Sequence, residues 1–163
     1  MAREKPIPRS ARKEINRGRI RSRDNDTVKQ ISVGLMDIDA AIMFYFNNTI
    51  QPMVEENGEG KVLVINHTGD KLCSMVGDQI AQKAFENNWR GIFVNGYIRD
   101  VEVIKNISIG VHAKNAYPMK TDKSVGVGTK DKNINIGSVS MSSGDWIYVD
   151  TNGWVVSRKK LEL

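Results

Sequence analysis

Residues 77–100 read Gly-Asp-Gln-Ile-Ala-Gln-Lys-Ala-Phe-Glu-Asn-Asn-Trp-Arg-Gly-Ile-Phe-Val-Asn-Gly-Tyr-Ile-Arg-Asp. Ile80 and Ala84 stand four residues apart with Phe85 beside them, which predicts a helix over 79–88. The apolar run that follows predicts a buried strand over 91–95. Gly96-Tyr97-Ile98 then reads as a short turn that delivers Arg99 and Asp100. Twenty residues separate Asp78 from Arg99. A helix–strand unit of this length sets polar groups from both of its ends at one edge of a sheet. Two carboxylates and an arginine at such an edge suit a hard divalent ion and a small anion.

Working outward, Val62-Leu63-Val64-Ile65 predicts a second buried strand, with Asn66 to Asp70 as the loop at its end. Leu72, Met75 and Val76 read as a helical turn or two. Residues 101–104 read as a short helix, and Ile107, Ile109, Val111 and Ala113 alternate as a strand. Residues 114–133 are rich in glycine and lysine and read as loop. Ile134, Ile136, Val139 and Met141 predict a strand bent at Gly137. Two strands, 146–149 and 154–156, flank a tight-hairpin signal at Thr151-Asn152-Gly153. Toward the N-terminus, Leu35, Ile38, Ile42, Tyr45, Phe46 and Thr49 recur at helical steps, predicting an amphipathic helix over 35–50 ended by Asn47, Asn48 and Pro52. A polar, turn-rich joint follows at 54–60. The expected organisation is a basic tail over 1–30, the helix and joint over 31–56, and an α/β domain over 57–160.

The chain has 163 residues and a net charge of +5. That charge is uneven: residues 1–30 carry ten Lys/Arg and four Asp/Glu, while the rest is close to neutral. The tail has the composition of a solvated, disordered leader. The same charge could contact nucleic acid or another polyanion, although no aromatic residue is interleaved for base stacking. No apolar run is long enough to cross a bilayer, and no secretory leader is evident. The lone cysteine, Cys73, excludes an internal disulfide and reads as a packed core thiol. These features point to the cytoplasm.

Asp78 follows a glycine and opens a helix, so it is either an N-cap or part of an anion site with the amides of Gln79 and Ile80. Arg99-Asp100 is either a surface ion pair or a keto-acid and metal site at a strand end. His67 reads as a loop hydrogen-bonder near that edge, and His112 as a structural strand residue. There is no two-histidine metal spacing, phosphate loop, dinucleotide fingerprint or nucleophile elbow.

Four segments fall in the order and spacing of one family: residues 58–65, 77–81, 86–101 and 144–157, the last reading Gly-Asp-Trp-Ile-Tyr-Val-Asp-Thr-Asn-Gly-Trp-Val-Val-Ser. Over residues 56–157 the chain resembles the RraA family, which includes regulators of ribonuclease E activity and 4-hydroxy-4-methyl-2-oxoglutarate aldolases. The resemblance implies an α/β swivelling-type β/β/α fold in a homotrimer with sites between subunits. It implies that Asp100 binds magnesium or manganese, and that Arg99 holds the keto oxygen and stabilises a pyruvate enolate. Asp78 would position a water for proton transfer, and the amides of Gln79 and Ile80 would bind the pyruvyl carboxylate. The substrate would be a keto-acid cleaved by an aldolase or decarboxylase. The alternatives are a non-catalytic regulator that binds a ribonuclease and a phage structural or assembly protein. The last follows from residues 26–57, which resemble the N-terminus of tailed-phage structural proteins and would put the chain in a host cytoplasm or virion. On this reading the family's own N-terminal portion is missing from residues 1–54.

Overall fold

The computed structural model describes residues 36–44, 50–69, 71–122, 128–131, 133–150 and 153–161; the expected tail over 1–30 lies outside them. The elements run β1 (Met36–Phe44), α1 (Ile50–Glu55), β2 (Lys61–His67), β3 (Ser74–Val76), α2 (Asp78–Glu86), β4 (Gly91–Ile98), α3 (Val101–Ile104) and β5 (Gly110–Ala116). Then come β6 (Thr129–Asp131), β7 (Asn133–Ile136), β8 (Val139–Ser142), β9 (Asp145–Asp150) and β10 (Gly153–Ser157).

Val62, Leu63, Val64 and Ile65 of β2 are all buried. A strand apolar on both faces needs cover on both, and the two covers differ. Leu63 and Ile65, with Ile92 and Val94 of β4, join a cluster that takes in Ile50 and Val54 of α1, Ala81 and Ala84 of α2, and Ile104 of α3. Val62, Val64 and Phe93 join a second cluster built from Ile134, Ile136, Val139 and Met141 of the β7–β8 hairpin and from Ile147 and Val149 of β9. The result is a β/β/α arrangement: helices, central sheet, hairpin. The sheet order is β10-β9-β1-β2-β4-β3, with β5 also along β4 and β6 along β1.

The helix expected over 35–50 is corrected. Met36–Phe44 is a strand, parallel to β2 and antiparallel to β9. Its apolar residues fit either period, and backbone partners on both sides decide for a strand. The helix here is the short α1, which buries Ile50, Met53 and Val54. The joint that follows is tied down: Trp89 Nε1 donates to the Glu56 carbonyl at 3.0 Å, and Gly58 N donates to the Asn87 carbonyl at 2.7 Å.

Two further differences shape the functional edge. Gly96-Tyr97-Ile98 is not a turn but the end of β4, and the helical turn expected around 72–76 is β3. β2 pairs with β4 only as far as Asn66 opposite Asn95. Beyond that, β3 takes over the same strand, with Ser74 opposite Tyr97 and Val76 opposite Ile98. Gly96 permits the handover, since a Cβ there would lie 3.1 Å from the Cβ of His67. The expected bend at Gly137 is a full reversal between β7 and β8, with Gly137 at φ 61°. The strand expected from Ile107 begins at Gly110 and runs on through Lys114 to Ala116. The loop expected over 114–133 also yields β6. The turn signal at Thr151 and Asn152 lies outside the described residues, while β9 and β10 on either side pair antiparallel.

Candidate functional site

β3 and β4 run parallel and end together, because the Arg99 N–H donates to the Val76 carbonyl at 2.9 Å. That bond sets Gly77, just after β3, beside Arg99 and Asp100, just after β4. Gly77 has ordinary extended backbone, φ −126° and ψ −173°, so any residue could adopt its angles. It lacks a side chain for want of space: a Cβ would sit 2.7 Å from Asp100 Oδ2 and 3.1 Å from Arg99 Cζ.

Asp100 occupies the left-handed region at φ 58°, ψ 35°. A non-glycine residue there costs about 1 kcal/mol, so other contacts must hold it. Its carbonyl accepts the N–H groups of Val103 and Ile104, each at 3.0 Å, as α3 begins. Its Oδ2 lies 2.9 Å from Arg99 Nη1 and accepts a long bond, 3.4 Å, from the Asp78 N–H. Arg99 and Asp100 keep about a third of their side-chain surface exposed, 34% and 29%. Asp100 Oδ1 has no partner among the described residues. It faces the constraint of one fixed oxygen and offers the other.

Asp78 is the first residue of α2, and the N-cap is Gly77, so the capping reading of Asp78 is corrected. Its Oδ1 instead accepts the Gln79 N–H at 2.8 Å. The Gln79 amide, expected to be open, is thus covered by its neighbour's side chain. The Ile80 amide has no acceptor among the described residues, as the third N–H of a helix commonly does not.

A cleft of about 340 Å³ opens at this helix end, lined among others by Gly77, Gln79, Ile80, Lys83, Arg99 and Lys120. Among the described residues, its lining contains three cationic side chains and no carboxylate. Asp78 and Asp100 stand beside it. Ser74 and Thr121 also line it, but their hydroxyls are spent on backbone carbonyls: Ser74 Oγ on Met119 and Thr121 Oγ1 on Ser74. Sequence reasoning missed Gly77 as a spacer, and Lys83 and Lys120 as cleft residues. Lys83 was detectable as the residue four positions after Gln79 on one helix face; Lys120 was hidden in an apparent loop.

His67 does not line the cleft. Its Nε2 lies 4.0 Å from Cys73 Sγ, and burial, then the nearby Lys114 charge, lower its pKa. Cys73 is buried, as expected. His112 stacks on Phe93 at 4.8 Å between centroids. Its Nδ1 is buried without a partner among the described residues, and burial lowers its pKa to about 4. It is structural.

No group of three or more His, Cys, Asp or Glu could together hold a metal among the described residues. One or two carboxylates suit a hard ion that keeps most of its waters, the habit of magnesium, and do not suit a dedicated protein cage.

A family model described as RraA-like, Aldolase/RraA, matches residues 17–156. The match begins at residue 17, so the family likeness reaches further toward the N-terminus than the expected start at residue 56. Residues 26–57, read as phage-like, lie inside it. A protein of Marinomonas sp. (strain MWYL1), named "Putative 4-hydroxy-4-methyl-2-oxoglutarate aldolase", is 42% identical over 120 residues, 74% of each chain. A protein of the same name from Hahella chejuensis (strain KCTC 2396) is 40% identical over 74% of this chain and 73% of its own. Among solved structures, one described as the RNA-processing inhibitor RraA from Thermus thermophilis superposes with a TM-score of 0.70 at 27% identity, covering 77% of each chain.

Proposed function

The chain belongs to the RraA-like family, and from that membership and the chemistry of its cleft we propose that it is a lyase of the aldolase or decarboxylase kind. Its substrates are pyruvate-derived keto-acids of the 4-hydroxy-4-methyl-2-oxoglutarate or oxaloacetate type. The observation that carries the reading is the close approach at Gly77, which sets Arg99 and Asp100 against the start of α2. The aldolase names of relatives near 40% identity support it.

The residues divide the work as follows. The Ile80 amide takes the pyruvyl carboxylate, joined by the Gln79 amide once Asp78 turns away from it. Arg99 holds the keto oxygen, where negative charge develops as the bond between C3 and C4 breaks and its electrons pass into the enolate. Asp78, at the same helix end, positions the water that takes the proton from the C4 hydroxyl, whose oxygen becomes the carbonyl of the departing fragment, and that returns a proton to C3 of the enolate. Asp100 would be the residue that holds a hard divalent ion, magnesium or manganese. The ion would supply further charge stabilisation for the enolate. Exposed apolar side chains at Leu72, Phe85, Val103 and Met119 support assembly as a homotrimer.

Pyruvate release from both substrates, with magnesium and with a chelator, tests the reading. Arg99→Lys keeps the charge but loses the planar fork, and should lower turnover by about 100-fold or more. Full turnover in that variant, or none in the metal-loaded wild-type protein, would sink it. The ribonuclease-regulator reading draws on the fold shared with the Thermus protein. It makes no use of the Arg99, Asp100 and Ile80 constellation, which favours chemistry.

A further inference from the structure

Among the described residues, three cations line the cleft and one of them is matched. Arg99 has Asp100 at 2.9 Å. Lys83 and Lys120, both exposed, form no ion pair among the described residues. They reach the cleft from different walls. Lys83 lies on α2 four residues beyond Gln79, hence on the same face and about 6 Å further along the axis. Lys120 follows β5 and is anchored to β3 through its neighbours: the Met119 carbonyl accepts both the N–H and the hydroxyl of Ser74, and Thr121 Oγ1 donates to the Ser74 carbonyl at 2.7 Å. Ser74 and Lys120 also form an isolated parallel bridge. The backbone that carries Lys120 is therefore fixed to the same strand that leads into Gly77.

Two unpaired ammonium groups lining one small cleft repel each other unless an anion enters between them. On the lyase reading, the amide end of α2 takes the pyruvyl carboxylate and Arg99 the keto oxygen beside it. We propose that Lys83 and Lys120 form a second subsite, about one helical turn away, which binds the distal carboxylate of the substrate and makes the enzyme selective for keto-diacids over keto-monoacids. This rests on the lyase reading and deepens it by naming the residues that set substrate class. A second carboxylate separated from the first by a short carbon chain spans that distance, and the two lysines are flexible enough to meet it.

The test compares 2-oxoglutarate with 2-oxopentanoate, which differ only in a terminal carboxylate against a methyl group. Calorimetric titration of the full chain, with magnesium present, should show the wild-type protein binding the diacid about tenfold tighter, with the preference shrinking as salt is added. In Lys83→Gln/Lys120→Gln the ratio of the two affinities should fall to about two or less. Both side chains are exposed, so the substitutions leave the core untouched. A wild-type protein that does not discriminate, or a preference that survives in the double variant, overturns the proposal. Because the readout is binding, it separates from the lyase reading: a diacid preference lost in the double variant, in a protein that releases no pyruvate, keeps the lysine subsite and removes the chemistry.

Discussion

Asp100 and Gly77 form a pair in which each explains the other. The aspartate sits in a left-handed conformation, and the glycine leaves room for its carboxylate. Replacing Asp100 by glycine relieves the backbone strain, so Asp100→Gly should raise stability by about 1 kcal/mol while turnover falls by about 100-fold or more. Urea unfolding beside a pyruvate-release assay checks both halves; a variant that is less stable would show that the carboxylate contacts outweigh the strain. Gly77→Ala should do the reverse of relief. Its methyl group meets the carboxylate at 2.7 Å, costing about 1–3 kcal/mol and displacing Arg99 and Asp100 together. That Asp78 and Arg99-Asp100 meet at one edge was legible from one helix and one strand between them; their proposed roles came from the family resemblance. Gly77 was not legible, because its role depends on side chains 22 and 23 positions away that meet it only in the folded state. The covered amide of Gln79 was equally invisible, since it turns on a single rotamer of Asp78.

At the scale of elements, the strands with both faces buried declared themselves by composition: β2 and the first half of β4 carry unbroken apolar runs. Local patterns failed where partners decide. β1 was read as a helix because its residues suit both periods, and β3 was read as a helical turn because a three-residue strand has no period at all. β5 shows how burial on such a strand becomes pH dependence. The His112 pKa is lowered by burial to about 4, against 6.5 for the free side chain. The unfolded chain therefore binds the proton first as pH falls. Stability from this group is complete above pH 6.5 and drains away toward pH 4, by about 3 kcal/mol in all. The lowered pKa of His67 acts in the same direction. Urea midpoints measured between pH 7 and 4 should fall steeply in the wild-type protein and less steeply in His112→Phe. Equal slopes would assign the loss to other groups. Trp89→Phe tests the tie between the α1 side and the α2–β4 loop: it deletes the donor to Glu56 and should cost about 1–2 kcal/mol by the same denaturation assay.

For the whole molecule, the β/β/α layering followed from the resemblance, while the way α1 shares a core with the sheet needed the coordinates. The apolar side chains left on the surface predict the assembly. Light scattering behind gel filtration should give three times the 18.3 kDa chain mass, and Phe85→Asp/Val103→Asp should reduce that mass if these residues meet a neighbouring copy. A monomer in the wild-type protein would remove the trimer from the proposal. One bond also carries a meaning for motion. β3 is three residues long, and the N–H of Arg99 joins its end to β4. Short segments with few such bonds open on their own, well before the molecule unfolds. When β3 lifts away, Gly77 leaves Arg99 and Asp100, and the Arg99 amide proton is released to solvent. Its rate of exchange for deuterium therefore counts how often this candidate edge dismantles itself. A ligand bridging α2 and Arg99 should slow that clock while leaving the exchange of β9 and β10 unchanged.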